Sequence, residues 1–352
     1  MRGFGMIAVD HVGWLDHSRP ECGPLDAIVR PTMVAPCTSD VRVSHGWAGQ
    51  RGDIVLGHEA VGVVDEVGAL VAAFKPGDLV AVPCVTPDWL SAGVQHPRRV
   101  SHDTGEQASY KFASSKDGVM AEYFHVNQAD ANLARIPDGV APEAALMAVD
   151  MMPTALRGVE VADVSFGETV VVIGIGPVGL LAIAGAALRG AGRVIAVGTR
   201  RASQSVAMHY GASEVVSYRD GRLSDLILAG TGGSGADKAI VAGGDAATLA
   251  QAVRLVRPGG IVSNINFFGE SEMLQLPIGD WGLGMADIDI RGSFCPGGGE
   301  IVASMMQMIR YGRIDPTLVI THRFDGWDAL PKAFQLMDQK PDDLIKPVVV
   351  LD

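Results

Sequence analysis

A two-domain protein of the α/β class is expected, one domain β-rich and of the open-barrel type, the other a doubly wound parallel sheet. Three observations carry that expectation. The chain has 352 residues, beyond the roughly 250–300 at which a single core stops growing. Up to about residue 150 it consists of short alternating apolar runs punctuated by Gly, Pro and Asp, the pattern of half-buried strands. From about residue 154 to 294 strand-like and helical runs alternate, the succession that builds a parallel sheet. Apolar residues make up 48% of the chain, enough to fill two cores.

In chain order, "MRGFGMIAVDHVGW" lacks the regions of a secretory signal and reads as a first strand. "AIVRPTMVA", "AVGVVDEVG", "DLVAVPC" and "AEYFHV" follow as strands, and the polar stretch 94–118 reads as a long loop. In the second domain "ETVVVIG", "RVIAVG", "EVVSY", "DKAIVAGG", "GGIVSNINFFG" and "DIDIRGSF" are strands, separated by helical stretches such as "PVGLLAIAGAALRG". Nineteen residues from Val170 to Leu188 carry no charge, which approaches the length of a membrane span. Gly174, Gly176, Pro177 and Gly179 interrupt them, so a buried strand, a tight turn and a helix explain the run better. The tail holds helices in "GEIVASMMQMIRYGR" and "WDALPKAFQLMD" and a closing strand in "KPVVVLD". Its simplest arrangement completes the first domain. The expected domains are therefore 1–153, completed by 295–352, and 154–294.

Twenty-eight Lys and Arg against 40 Asp and Glu give a formal charge of −12. That balance disfavours nucleic acid and acidic membranes as partners, because both demand clustered cations. Cys22, Cys37, Cys84 and Cys295 form no CxxC pair, so neither a disulfide framework nor a four-cysteine zinc knuckle is available, and a reducing cytoplasm fits.

"VVVIGIGPVGLLA" sets Gly174, Gly176 and Gly179 in GxGxxG spacing, after an apolar strand and at the start of a helix. That is the context in which the motif binds a dinucleotide pyrophosphate. The next strand ends in Gly198-Thr199-Arg200, nineteen residues beyond Gly179, where a cofactor with a free ribose 2'-hydroxyl would want an acid. No acid is there. Glycine leaves room, Thr199 can hydrogen-bond and Arg200 can pair with a 2'-phosphate, which favours NADP over NAD; the alternative is an ordinary solvated helix start.

"VLGHEAVGVVDEVG" places His58 and Glu59 side by side, two residue types able to hold a metal. Cys37 in "VAPCTSD" and Asp150, the one acid in "LMAVDMMPTA", are further candidates. A catalytic zinc needs three protein ligands and an open position. Each residue also has an ordinary explanation: a small buried hydrophobe for Cys37, a hydrogen-bonded core residue for His58, a helix cap for Asp150.

The segments "APCTSD", "GHEAVGVVDEVG", "FKPGDLVAV", "GVMAEYFHV" and "VVIGIGPVGL" resemble the medium-chain zinc-dependent alcohol dehydrogenases. "PCTSD", "TPDW", "DMMPT", "RGAGRVIAVGTR", "FCPGG" and "DLIKPVV" resemble, more narrowly, their bacterial tetrameric NADP-dependent secondary alcohol dehydrogenases. The resemblance implies a GroES-like catalytic domain, a Rossmann domain and one catalytic zinc on Cys37, His58 and Asp150. Glu59 would be the neighbouring carboxylate that approaches the metal when its fourth position is open. The four-cysteine lobe of many relatives is absent, so no structural zinc is expected.

By the same resemblance Ser39 lies beside the substrate oxygen, and Gly198, Thr199, Arg200 and Tyr218 surround the 2'-phosphate. Gly174, Ile175, Gly176, Pro177, Val178, Gly179, Ile265, Asn266, Phe267 and Lys340 line the rest of the cofactor. Cys84, Val85, Tyr110, Phe267, Phe294 and Cys295 would form an apolar substrate pocket, with Met285 reaching a neighbouring subunit of a homotetramer. The relatives have histidine where Arg42 stands, and arginine cannot shuttle protons at neutral pH, so His45 or water would take over the proton relay. The implied reaction is hydride transfer between NADP and a small secondary alcohol, ketone or aldehyde. The alternatives are a zinc-free quinone or enoyl reductase, a zinc polyol or threonine dehydrogenase, and a non-catalytic NADPH-binding protein of the same fold.

Overall fold

The structure, a computed structural model, describes residues 1–47, 52–91, 94, 109–113, 116–268 and 273–351. The chain divides into two compact units, Met1–Pro153 with Cys295–Asp352, and Thr154–Phe294.

In the first unit the opening stretch is a hairpin and not one strand: Arg2–Ala8 pairs antiparallel with His11–Asp16. The reversal falls at Asp10, whose φ of 62° is tolerated by Asp better than by most residues. Ile54–Val55 pairs with the other edge of Arg2–Ala8. A seven-stranded sheet runs in the order Ala134–Arg135, Leu79–Val82, Ala60–Val67, Ala27–Val34, Lys346–Val350, Ile320–Asp325, with Phe124–Val126 also pairing with Ala27–Val34. The last strand of the chain thus lies between two others, antiparallel to Ala27–Val34 and parallel to Ile320–Asp325. Such a central strand is buried on both faces, which suits the uninterrupted apolar run after Lys346. Val29, Val64, Val80, Phe124 and Val349 belong to the core of this unit.

The polar sequence of stretch 94–118 predicts loop throughout; Ser109–Lys111 instead pairs antiparallel with Val85–Pro87. Three residues are too few to show an alternating pattern. Residues 95–108, 114 and 115 lie outside the described ones.

The second unit is a six-stranded, wholly parallel sheet in the order Glu214–Val216, Arg193–Val197, Thr169–Ile173, Ala236–Val241, Val256–Asn264, Asp289–Gly292. Counted along this unit the order is 3-2-1-4-5-6, the doubly wound arrangement expected. The order in which strands are added reverses between Thr169–Ile173 and Ala236–Val241, the switch point at which ligands of such sheets bind. The uncharged run 170–188 is the strand Thr169–Ile173, a turn and the helix Pro177–Leu188. No described helix is long and apolar enough to cross a membrane.

Candidate metal centre and nucleotide-binding edge

Three segments of the first unit, far apart in the chain, deliver the metal candidates. Cys37 follows strand Ala27–Val34 and stands at the N-cap of helix Thr38–Ser44, a position that favours a thiolate. His58 and Glu59 join Ile54–Val55 to Ala60–Val67. Gly57 makes that junction possible: its φ is +89°, and a Cβ there would lie 2.5 Å from Met120 Cγ. Asp150 follows helix Pro142–Met147 and is tethered through its neighbour, since the Cys84 amide donates to the Val149 carbonyl at 3.1 Å. One ligand atom each from Cys37, His58, Glu59 and Asp150 lies within 4.8 Å of the others. His58 Nε2 is 3.3 Å from Asp150 Oδ2 and 3.8 Å from Glu59 Oε1.

Two residues that sequence reasoning missed organise this cluster. Asp40 is fully buried, and its Oδ1 accepts from His58 Nδ1 at 2.8 Å and from the Gly57 amide at 3.2 Å, while Oδ2 accepts from the Cys37 amide at 2.9 Å. A carboxylate on Nδ1 leaves Nε2 facing the cluster, the arrangement that orients metal-ligating histidines. Lys346, also fully buried, donates from Nζ to Glu59 Oε1 at 2.5 Å. Its signal in the sequence was slight, a single cation opening the closing apolar strand.

The charges of the cluster are interdependent. Desolvation pushes the Cys37 thiol up, but the Lys346 ammonium and His58 outweigh it and bring the thiol down to about 6. Burial opposes charge on His58, yet Asp40 and Asp150 raise it well above the usual imidazole value. Burial pushes Asp40 up; His58 and the Cys37 amide hold it below the usual carboxylate range. Burial also opposes charge on Lys346, and Glu59 with Cys37 drives it upward instead. A thiol poised to ionise, an imidazole with its second nitrogen fixed and two carboxylates are the donor set of a zinc site. Glu59 Oε2, buried without a hydrogen-bond partner, is a further oxygen available to a cation. The residues fit the metal.

Ser39 Oγ lies 3.2 Å from His58 Nε2, beside the cluster. His45 is not brought there, contrary to the relay expected of it. Its Nδ1 faces Asp10 Oδ1 at 2.5 Å and its Nε2 faces Asp338 Oδ1 at 3.4 Å, with the side chain half exposed. Nearness in sequence to Arg42 suggested the relay, but His45 caps the helix end and Asp10 and Asp338 hold its ring. Among the pocket candidates, Cys84 and Cys295 are buried against Asp150: Cys84 Sγ is 3.3 Å from Asp150 Oδ1, and Cys295 Sγ is 3.9 Å from the Asp150 carbonyl. Val85 is buried one residue on, Lys340 ends helix Leu330–Gln339 in the left-handed conformation, and the side chain of Tyr110 lies outside the described residues.

In the second unit Gly174, Ile175 and Gly176 lead from strand Thr169–Ile173 into helix Pro177–Leu188, which Pro177 and Val178 open. Gly179 packs so tightly on the turn that a Cβ would fall 1.7 Å from the Gly174 carbonyl oxygen. The next strand ends at Val197, and the three residues after it reach the same edge: a Cβ on Gly176 would have Arg200 Nη2 as its nearest neighbour, at 3.7 Å. Thr199 Oγ1 is 3.2 Å from the Tyr218 hydroxyl. Ile265 extends strand Val256–Asn264, its amide donating to Val241 at 3.0 Å, and Asn266 Nδ2 donates to Gly244 at 2.9 Å. Phe267 follows, Phe294 closes the unit, and Met285 is 76% exposed. The glycine turn, the cation and the hydroxyl pair thus share the C-terminal edge of one sheet, where a helix N-terminus supplies free N–H donors.

The model of the zinc-binding dehydrogenase family matches residues 177–310, and that of the alcohol dehydrogenase GroES-like domain matches residues 23–138. The chain is similar to an NADP-dependent isopropanol dehydrogenase of Thermoanaerobacter brockii, 51% identical over 352 residues and covering 100% of both chains. An enzyme of the same description from Clostridium beijerinckii is 49% identical, again with 100% of both chains covered. Among solved structures, the alcohol dehydrogenase TADH of Thermus sp. ATN1 superposes with a TM-score of 0.86 at 27% identity, covering 100% of both chains.

Proposed function

The chain belongs to the zinc-binding alcohol dehydrogenase family, and from that premise we propose that it is an NADP-dependent enzyme interconverting small secondary alcohols and ketones, aldehydes included. The observation that carries the reading is the convergence of Cys37, His58, Glu59 and Asp150 within 4.8 Å, in a chain that also places Arg200 over a GxGxxG turn.

Cys37, His58 and Asp150 would hold one zinc, which supplies a Lewis acid for an alcohol or carbonyl oxygen, while bound NADP supplies the hydride acceptor. Asp40 keeps the His58 ring in the tautomer and orientation that ligation needs. Lys346 pairs with Glu59 Oε1 and offsets its buried charge, so that this carboxylate would not be required as a permanent ligand. Ser39 receives the substrate hydroxyl proton; with His45 turned to Asp10 and Asp338, water carries it onward. Arg200, Thr199 and Tyr218 bind the 2'-phosphate, and the Gly174–Gly179 turn carries the pyrophosphate. One catalytic zinc without a structural one is the metal content proposed. A homotetramer in the cytoplasm is the assembly and location proposed.

The test is a cofactor-by-substrate matrix, NADP and NAD against primary, secondary and polyol alcohols. Fastest turnover of 2-propanol with NADP is expected. A preference for polyols, or for NAD, would replace this reading with the polyol dehydrogenase one; light scattering on the same sample reads the subunit number.

A further inference from the structure

Cys84 and Cys295, 211 residues apart, come together beside the metal cluster. Their sulfurs are 3.4 Å apart and the side chains are 1% and 4% exposed. Neither is in a disulfide. Strand Val85–Pro87 begins beside Cys84, and its Val85 carbonyl accepts from the Gly298 amide at 3.3 Å, which fixes the segment after Cys295 against it. The third group is Asp150, whose two oxygens face opposite ways: Oδ2 is 3.3 Å from His58 Nε2, Oδ1 is 3.3 Å from Cys84 Sγ. One ligand atom from each of Cys84, Cys295 and Asp150 lies within 4.8 Å of the others.

We propose that Cys84, Cys295 and Asp150 Oδ1 form a second cation site, selective for a soft thiophilic ion, with Asp150 bridging it to the Cys37–His58 centre. Two thiolates and a carboxylate suit soft d¹⁰ ions such as Cd²⁺ or Cu⁺ and exclude Mg²⁺ and Ca²⁺, which want oxygen alone. In tetrahedral coordination with metal–sulfur bonds of about 2.3 Å, two sulfurs stand about 3.8 Å apart and a sulfur and an oxygen about 3.6 Å. From the observed 3.4 and 3.3 Å the site opens by about 0.3–0.4 Å for bonds of that length, and its sulfurs by about 0.7 Å for the longer bonds of Cd²⁺, about 2.5 Å. On binding, each thiol gives its proton to solvent as a metal–sulfur bond forms. The ion also competes for the Asp150 carboxylate, so its uptake inhibits the neighbouring centre.

The test adds Cd²⁺ to the zinc-loaded protein and measures both metals per chain together with the ultraviolet thiolate-to-cadmium absorption. Zinc content before the addition reports separately on the proposed catalytic site. One cadmium per chain is expected to enter with zinc retained, and Cys84→Ser or Cys295→Ser each to abolish uptake and absorption. Cadmium entering only as zinc leaves, or uptake surviving both substitutions, would overturn the proposal. X-ray absorption on the unsubstituted protein decides it without variants: two sulfur neighbours around cadmium support the site, whereas one sulfur, the number that Cys37 alone can give, refutes it.

Discussion

Replacing Asp40 by Asn tests how the metal cluster is held. Both oxygens of this buried carboxylate are engaged, Oδ1 with His58 Nδ1 and the Gly57 amide, Oδ2 with the Cys37 amide. An amide of the same shape has one acceptor oxygen. If it serves His58 and Gly57, the new NH₂ meets the Cys37 N–H, donor against donor; if it is flipped, the clash moves to His58. At least one buried donor is left unsatisfied either way, the Cys37 amide in the first case and His58 with the Gly57 amide in the second, at about 1–3 kcal/mol of stability each. The charge that favours a metal on Nε2 is lost as well, and outer-shell changes of this kind typically weaken metal binding or activity by about 10–100-fold. The assay is competition for zinc against a chelator of known affinity, with chemical denaturation of the same variant. A D40N protein with unchanged zinc affinity would refute the orienting role.

Other consequences are checked as directly. Lys346→Met strands a buried carboxylate, so stability should fall by about 3–5 kcal/mol, and adding Glu59→Gln should restore much of it; denaturation midpoints of the single and double variants decide. Arg200→Ala removes a charge-assisted contact of about 1.5–3 kcal/mol, so KM for NADP should rise about tenfold to a hundredfold with KM for NAD unchanged. His45→Gln should leave the pH–rate profile as it is, and a shifted profile would return His45 to the relay. Hydrogen bonding to Asp10 raises the His45 pKa above its usual 6.5. Its contribution to stability is therefore full below pH 6.5 and disappears as pH rises through the higher folded value. For so exposed a pair this amounts to under about 1 kcal/mol, and Asp10→Asn should flatten that slope in thermal melts across the window.

What could be read in advance depended on whether a residue was costly where it stood. The GxGxxG turn was legible because three glycines between an apolar strand and a helix have few other uses, and the parallel sheet followed from regular strand–helix alternation. Cys37, His58 and Asp150 stood out as polar or reactive groups among apolar neighbours. Asp40 did not, since an acid in the first turn of a helix is ordinary. Lys346 was equally silent: a lysine at a strand end normally carries its charge to water, and only the three-dimensional pairing with Glu59 shows that this one stays inside. The Cys84–Cys295 contact spans 211 residues and left no trace in spacing. His45 misled because the carboxylates that hold its ring, Asp10 and Asp338, come from distant parts of the chain.

The most direct measurement is a zinc titration of metal-stripped protein, followed by 2-propanol oxidation with NADP. Activity should be absent at the start, rise in proportion to added zinc, and reach its full value at one equivalent per chain. Turnover that persists with no metal bound would contradict a centre built on Cys37, His58 and Asp150.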